Sequence, residues 1–170
     1  MDTDERIDII FTTYTGKQLT HNDRLKLTEN IFYVFRHLSD LPELEHTRRN
    51  IYNRLARDDA VVTMALIRTD DGYRIVGFIM AAAVDEFPNL LHIYYLLTAP
   101  QFRNIGIAMN LLSSLYTFAR TNRYKLISLV FDTRNQQLTQ FYFKNKYYFD
   151  ESFRSYKQYD MLVRLIESSE

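Results

Sequence analysis

The spacing of apolar residues changes along the chain, and the changes outline its elements. Residues 5–14, "ERIDIIFTTY", alternate imperfectly and are rich in β-branched and aromatic side chains, which predicts a first strand. In "NDRLKLTENIFYVFRHL" the residues Leu27, Ile31, Val34, Phe35 and Leu38 recur at three and four, the mark of an amphipathic helix, with Thr20 or Asn22 as its cap. Pro42 opens a second helix, through about Arg57, with Leu44, Ile51 and Leu55 on one side and charge on the other. "VVTMALIRT" (61–69) and "YRIVGFIMAAAVD" (73–85) read as strands joined by "DDG", a hairpin signal because these residues tolerate positive φ. The second of them is apolar on both faces and belongs at the centre of a covered sheet. A loop, "EFPN", leads to the strand "LLHIYYLLTA" (90–99).

A helix follows from about Asn104 to Arg120, its stripe formed by Ala108, Leu111, Leu112, Leu115, Phe118 and Ala119. "KLISLVF" (125–131) is a short buried strand, "NQQLTQFYFKN" (135–145) a short helix, and "KYYFDES" and "YDMLVRLI" two closing strands. No internal repeat interrupts this order. The class is mixed α/β, with antiparallel hairpins in the first half and a strand–helix–strand unit in the second.

Composition narrows the function classes. At 170 residues and 46% hydrophobic, with no low-complexity linker, the chain reads as one domain over 1–170. Lys plus Arg equals Asp plus Glu at 21 each, so no bulk charge draws it to nucleic acid or an anionic membrane. The basic stretches "TRRNIYNRLAR" (47–57) and "RTNRYK" (120–125) read as a solvated helical face and a helix C-terminus. No segment approaches the roughly 18 apolar residues of a membrane span. Without cysteine there are no disulfides and no thiolate chemistry, and the four histidines lack metal-ligand spacing, so no metal is expected. The expected setting is cytoplasmic, with the nucleus left open.

One of the four glycines, Gly106, sits in "TAPQFRNIGIAMNLL" (98–112), in what the periodicity predicts as the first turn of a helix, where glycine costs about 1 kcal/mol relative to alanine. It is too early for a C-cap and its flanks do not form a hairpin, which leaves close approach of something to the backbone. A strand feeding straight into a helix N-terminus gathers free amides and the positive end of the helix dipole, a setting for pyrophosphate. Arg103 either pairs with a phosphate or lies on the surface.

These residues resemble the GNAT superfamily of acetyl-CoA-dependent N-acetyltransferases. "RNIGIA" (103–108) is similar to the family's pyrophosphate signature, and "NQQLTQFY" (135–142) to its second signature, an asparagine followed seven residues later by a tyrosine. The resemblance covers most of the chain and implies a mostly antiparallel, twisted sheet of about seven strands, helices on both faces, splayed between strands 4 and 5. It implies that the backbone of Leu96, Leu97 and Thr98 bonds pantetheine. The amides of Arg103, Asn104, Ile105, Gly106, Ile107 and Ala108 then hold pyrophosphate, and Asn135 anchors pantetheine or the start of the last helix. Tyr142 stands near the thioester sulfur and protonates the leaving thiolate, its other reading being core packing.

The implied reaction is transfer of acetyl from acetyl-CoA to a primary amine, on a small molecule or a protein, in a ternary complex. The amine proton needs a receiver, because an alkyl amine of pKa about 10.4 is protonated at neutral pH. Where lysine-acetylating members carry a glutamate, this chain has His92, read either as the base or as an ordinary strand histidine. Alternation puts His92, Tyr94, Leu96 and Thr98 on one face, so that Tyr94 lines the same cleft. Asp85 and Glu86 either attract a cationic acceptor or form a solvated loop. The family's Gly-Phe after the tyrosine is Lys146-Tyr147 here, which puts that turn in question and motivates a second reading, a non-catalytic acyl-CoA or protein-binding module. The "YYF" edge (147–149) is a candidate homodimer surface. No acceptor code is visible in the N-terminal helices or in "DESFRSYKQYD".

Overall fold

The computed structural model describes residues 7–38, 47–150 and 159–167. Its elements run β1 (Ile9–Thr15), α1 (His21–Leu38), α2 (Arg48–Leu55), β2 (Val61–Thr69), β3 (Gly72–Val84), β4 (Phe87–Thr98), α3 (Ile107–Thr121), β5 (Leu126–Asp132), α4 (Gln136–Lys144), β6 (Tyr148–Phe149) and β7 (Tyr159–Leu165). The strands form one sheet in the order β1-β2-β3-β4-β5-β7-β6, antiparallel throughout except for the parallel pair β4 and β5. β3 is the covered inner strand its composition predicts, buried from Val76 to Ala82.

Helices cover both faces. α3 and α4 lie on one, over a core that joins Leu111, Leu112, Leu115 and Tyr142 to Ile79, Leu91, Ile127 and Leu129. α1 and α2 lie on the other, where Ile31, Ile51 and Leu55 pack against Val62, Phe78, Met80 and Tyr95. Gly77 lets α3 come close: a Cβ there would stand 3.0 Å from the Ile107 side chain and 3.1 Å from the Leu97 carbonyl oxygen.

Several boundaries differ from the sequence-based expectation, each for a local reason. Thr20, one of the two expected caps, does cap α1, its hydroxyl accepting from the Asp23 amide while the Asp23 carboxylate accepts from the Thr20 amide. α2 begins at Arg48, because Thr47 caps it through the Asn50 amide; Pro42 and Leu44 lie outside the described residues. "EFPN" is not a loop. Asp85 and Glu86 alone make the turn, Phe87 already pairs with Val84, and Pro88 falls in the register break before Leu91 pairs with Ala83, where its missing N–H costs no rung.

α3 starts at Ile107, three residues later than expected. Asn104 (φ 65°) and Gly106 (φ 88°) are both left-handed, a conformation no right-handed helix includes. Gly106 is therefore the residue that caps α3, not one in its first turn, and the positive φ is a reason for glycine independent of any close approach. α4 ends in a Schellman motif: the Tyr147 amide donates to the Tyr142 carbonyl and the Lys146 amide to the Phe143 carbonyl. Lys146, at φ 68°, holds the left-handed position that glycine usually takes, so the turn keeps its geometry with lysine in place. α3 closes the same way, with Arg123 at φ 63°.

Candidate functional site

β4 pairs with β5 only from Leu90 to Ile93, opposite Leu126 to Leu129. Beyond that point the strands part: β4 continues to Thr98 beside β3 alone, and β5 to Asp132 beside β7 alone. The parting coincides with a bulge, since Met80 pairs with Tyr95 and Ala81 with Ile93, leaving Tyr94 as the extra residue. The backbone edge of Tyr94–Thr98 facing the gap thus pairs with no strand, leaving it able to take an extended chain of amides.

The bulge also overturns the expected alternation. Tyr94, Tyr95 and Leu97 pack with the α1–α2 core, whereas Leu96 packs with the α3–α4 core. His92 and Tyr94 share a face, their rings edge to face at 4.9 Å, and Leu96 lies on the opposite one, with Thr98 following two residues on.

Where the open edge ends, the loop before α3 begins. The amides of Asn104 to Ala108 donate to no acceptor among the described residues, and the α3 cap residue has no side chain to serve them. A Cβ at Gly106 would meet nothing within 4 Å, so this backbone faces open space at the positive end of α3. The exposed Arg103 turns its Nε back onto the Thr98 carbonyl at 3.3 Å, joining the loop to the end of β4.

Asn135 caps α4, its side-chain oxygen accepting from the Leu138 amide at 3.0 Å. α4 carries Tyr142, 5% exposed, edge-on to Phe131 in the part of β5 that β4 has left. Its hydroxyl bonds no group among the described residues. Burial, with Tyr116 adding to it, pushes the phenol well above its usual range. The neighbouring Tyr147 is buried and bonds the Tyr116 hydroxyl at 2.8 Å.

On the other face the half-buried His92 shares a hydrogen bond between its Nδ1 and the hydroxyl of the fully buried Ser128, its register partner on β5, at 2.7 Å. Burial first, and then the Arg54 guanidinium, push the imidazole down to about 4, so it is neutral near pH 7. Arg54 of α2 bonds the Tyr95 hydroxyl and stands 4.3 Å from the Tyr94 ring centroid. Asp85 and Glu86 are elsewhere. They occupy the β3–β4 turn, where Asp85 lies three residues, roughly 10 Å of strand, beyond Ala82, the register partner of His92. There Arg57 binds Asp85 at 2.8 Å and holds its carboxyl below the usual range.

Arg54, Tyr95 and Ser128 escaped the sequence reading. "TRRNIYNRLAR" read as a solvated face, yet Arg54 follows the buried Ile51 by three residues and turns inward beside Leu55. Ser128 had a visible signal, a lone hydroxyl in an apolar strand. Among the described residues no group of three or more His, Asp or Glu gathers to hold a metal, and no helix is long and apolar enough to cross a membrane.

A model of the Acetyltransferase (GNAT) family matches residues 27–147. No curated protein sequence matches the chain. Among solved structures, a GNAT-family protein from Desulfovibrio desulfuricans is similar at a TM-score of 0.71 and 13% identity, covering 94% of this chain and 100% of the other. NAA60 of Arabidopsis thaliana in complex with a bisubstrate analogue gives 0.69 and 16%, over 94% and 100%. The PaiA N-acetyltransferase of Thermoplasma acidophilum in complex with coenzyme A gives 0.65 and 14%, over 94% and 99%. At these identities the structures share the fold, while the family match spans well over half of the sequence: the chain belongs to the GNAT family of acetyltransferases.

Proposed function

We propose that the protein is an acetyl-CoA-dependent N-acetyltransferase acting on a primary amine by direct attack in a ternary complex. The observation that carries this reading is the continuity of the unpaired β4 edge with the free amides before α3. Leu96, Leu97 and Thr98 would bond pantetheine as an added strand, and the amides of Asn104 to Ala108 would receive the pyrophosphate, the Arg103 amide being spent on the Pro100 carbonyl. Asn135 spends its side-chain oxygen on α4, so its part is to place that helix and Tyr142 with it. The coenzyme A complex of the Thermoplasma relative and the bisubstrate complex of NAA60 support this placement by likeness of fold.

The amine reacts in its neutral form, its ammonium proton lost to solvent, and as its nitrogen bonds the acetyl carbon, the carbon–sulfur bond breaks. The nitrogen becomes far more acidic as it does so, and the neutral His92 imidazole, directly or through a water, accepts its proton and passes it on. A buried phenol is a reluctant acid, so Tyr142 serves the departing sulfur chiefly as a hydrogen-bond donor, proton delivery following from solvent. The test is calorimetric titration with acetyl-CoA of the wild type, Gly106→Asn and Tyr142→Phe. Asparagine tolerates a left-handed backbone, so it separates conformation from close approach. Expected are micromolar binding by the wild type, at least about tenfold weaker binding by Gly106→Asn at unchanged melting temperature, and unchanged affinity but about 10- to 100-fold lower kcat for Tyr142→Phe. Tight binding with no thiol release over a broad amine panel would establish the binding-module reading instead.

A further inference from the structure

Four arginines, Arg48, Arg49, Arg54 and Arg57, lie in or just beyond α2, and the surroundings of three of them differ. Arg48 binds Glu29 at 2.7 Å, and Arg57 binds Asp59 at 2.9 Å and Asp85 at 2.8 Å. Arg54, half-buried between them, faces no carboxylate among the described residues. Its neighbours are the Tyr95 hydroxyl, the faces of the Tyr94 and Tyr95 rings at 4.3 Å and 5.2 Å, and His92. A cation withdrawn from water is ordinarily matched by an anion. Here one of five donor N–H groups bonds the Tyr95 hydroxyl, and the Tyr94 and Tyr95 rings flank the half-buried guanidinium.

Place limits which anion that is. Tyr94 is the bulge residue at the point where β4 leaves β5, and its ring touches both Arg54 and His92. This cluster is on the α1–α2 face, whereas the free amides belong to the N-terminus of α3 on the other face. Cofactor phosphate therefore has its own collector, and Arg54 stands on the side from which an acceptor would reach the gap. A fixed guanidinium beside the base also repels an acceptor that is only cationic, and by the same charge favours one carrying an anion.

We infer that Arg54, walled by Tyr94 and Tyr95, forms a carboxylate subsite, and that the acceptor is a small amino acid whose amine is acetylated while its carboxylate pairs with Arg54. This rests on the acetyltransferase reading above for the transfer step, but the subsite itself can be read without turnover. Selection operates against diamines of equal length, which bring a second positive charge to Arg54, and against amides of amino acids, which bring none.

The test has two arms. The first measures kcat/KM with α- and ω-amino acids, their primary amides and diamines of matching length, for wild type, Arg54→Gln and Arg54→Lys. Expected is a preference of about 10- to 100-fold for acid over amide in the wild type, falling to about unity in Arg54→Gln and partly restored in Arg54→Lys. The second measures binding of the corresponding N-acetyl amino acids and N-acetyl amino amides by calorimetry with free CoA present. Acid-selective binding that Arg54→Gln loses supports the subsite even if no turnover is seen, in which case the transfer reading alone fails. Equal use or equal binding of acid and amide by the wild type, no binding of either, or a preference that survives Arg54→Gln overturns the inference.

Discussion

The two faces of the sheet solve different problems with different parts of the chain. On the α3–α4 face the site is made of backbone: a released strand edge and the free amides around Gly106. On the α1–α2 face it is made of side chains drawn from three elements, Arg54 from α2, His92, Tyr94 and Tyr95 from β4, and Ser128 from β5. Backbone groups are the same whatever the residue, so the first site suits a cosubstrate that every family member shares. Side chains can change one at a time, so the second suits an acceptor that differs among members. One bulge at Tyr94 gives β4 a role on both faces.

That division is open to attack by mutation, and truncating each core is the most forceful way. Leu112→Ala and Ile51→Ala each remove a fully buried side chain, one per face, and each should lower unfolding free energy in urea by about 2–5 kcal/mol. Only Leu112→Ala should also weaken acetyl-CoA binding, because α3 positions the amide loop. Equal weakening by both would mean that the faces are not separable.

A smaller effect concerns His92, held neutral on the side-chain face. Its pKa is lowered to about 4, so between pH 6.5 and 4 the unfolded chain takes up a proton that the folded protein refuses. The stability tied to neutral His92 is complete above about pH 6.5 and declines as pH falls toward 4. Urea midpoints should therefore drop more steeply over this range in the wild type than in His92→Gln, and the His92 NMR titration should centre near 4. A midpoint near 6.5 would remove both the burial and the Arg54 argument.

The smallest expected change is a gain. Lys146 occupies a left-handed position at φ 68°, and Lys146→Gly should raise stability by about 1 kcal/mol while leaving kinetics on either face untouched. Thermal melts and kcat/KM measured together decide it.

The same contrast governs what could be read in advance. Arg103–Ala108 is one contiguous run and Asn135 and Tyr142 share one α4 segment, so the parts of the backbone site are close in sequence and carry a spacing. Element order was likewise legible, because each periodic run is local. Three things were not. Left-handed φ at Asn104 shortens α3 without any compositional break, the bulge at Tyr94 reverses the alternation that seemed to unite His92 with Leu96, and Arg54 meets Tyr94 and Tyr95 only when α2 is laid across the sheet. The first two are single-residue backbone events and the third is tertiary. Periodicity carries none of them.

The short β4–β5 pairing has a mechanical consequence. A sheet whose middle strands meet over Leu90–Ile93 and Leu126–Leu129 and then separate is a notched plate, and strain gathers at the root of the notch. His92 and Ser128 are paired one rung from that root, and their side chains are bonded as well, like a rivet set just behind a crack tip. The residue read above as a proton acceptor is thereby also a fastener. Its removal would let the notch lengthen toward Leu90 and change the width of the gap between β4 and β5.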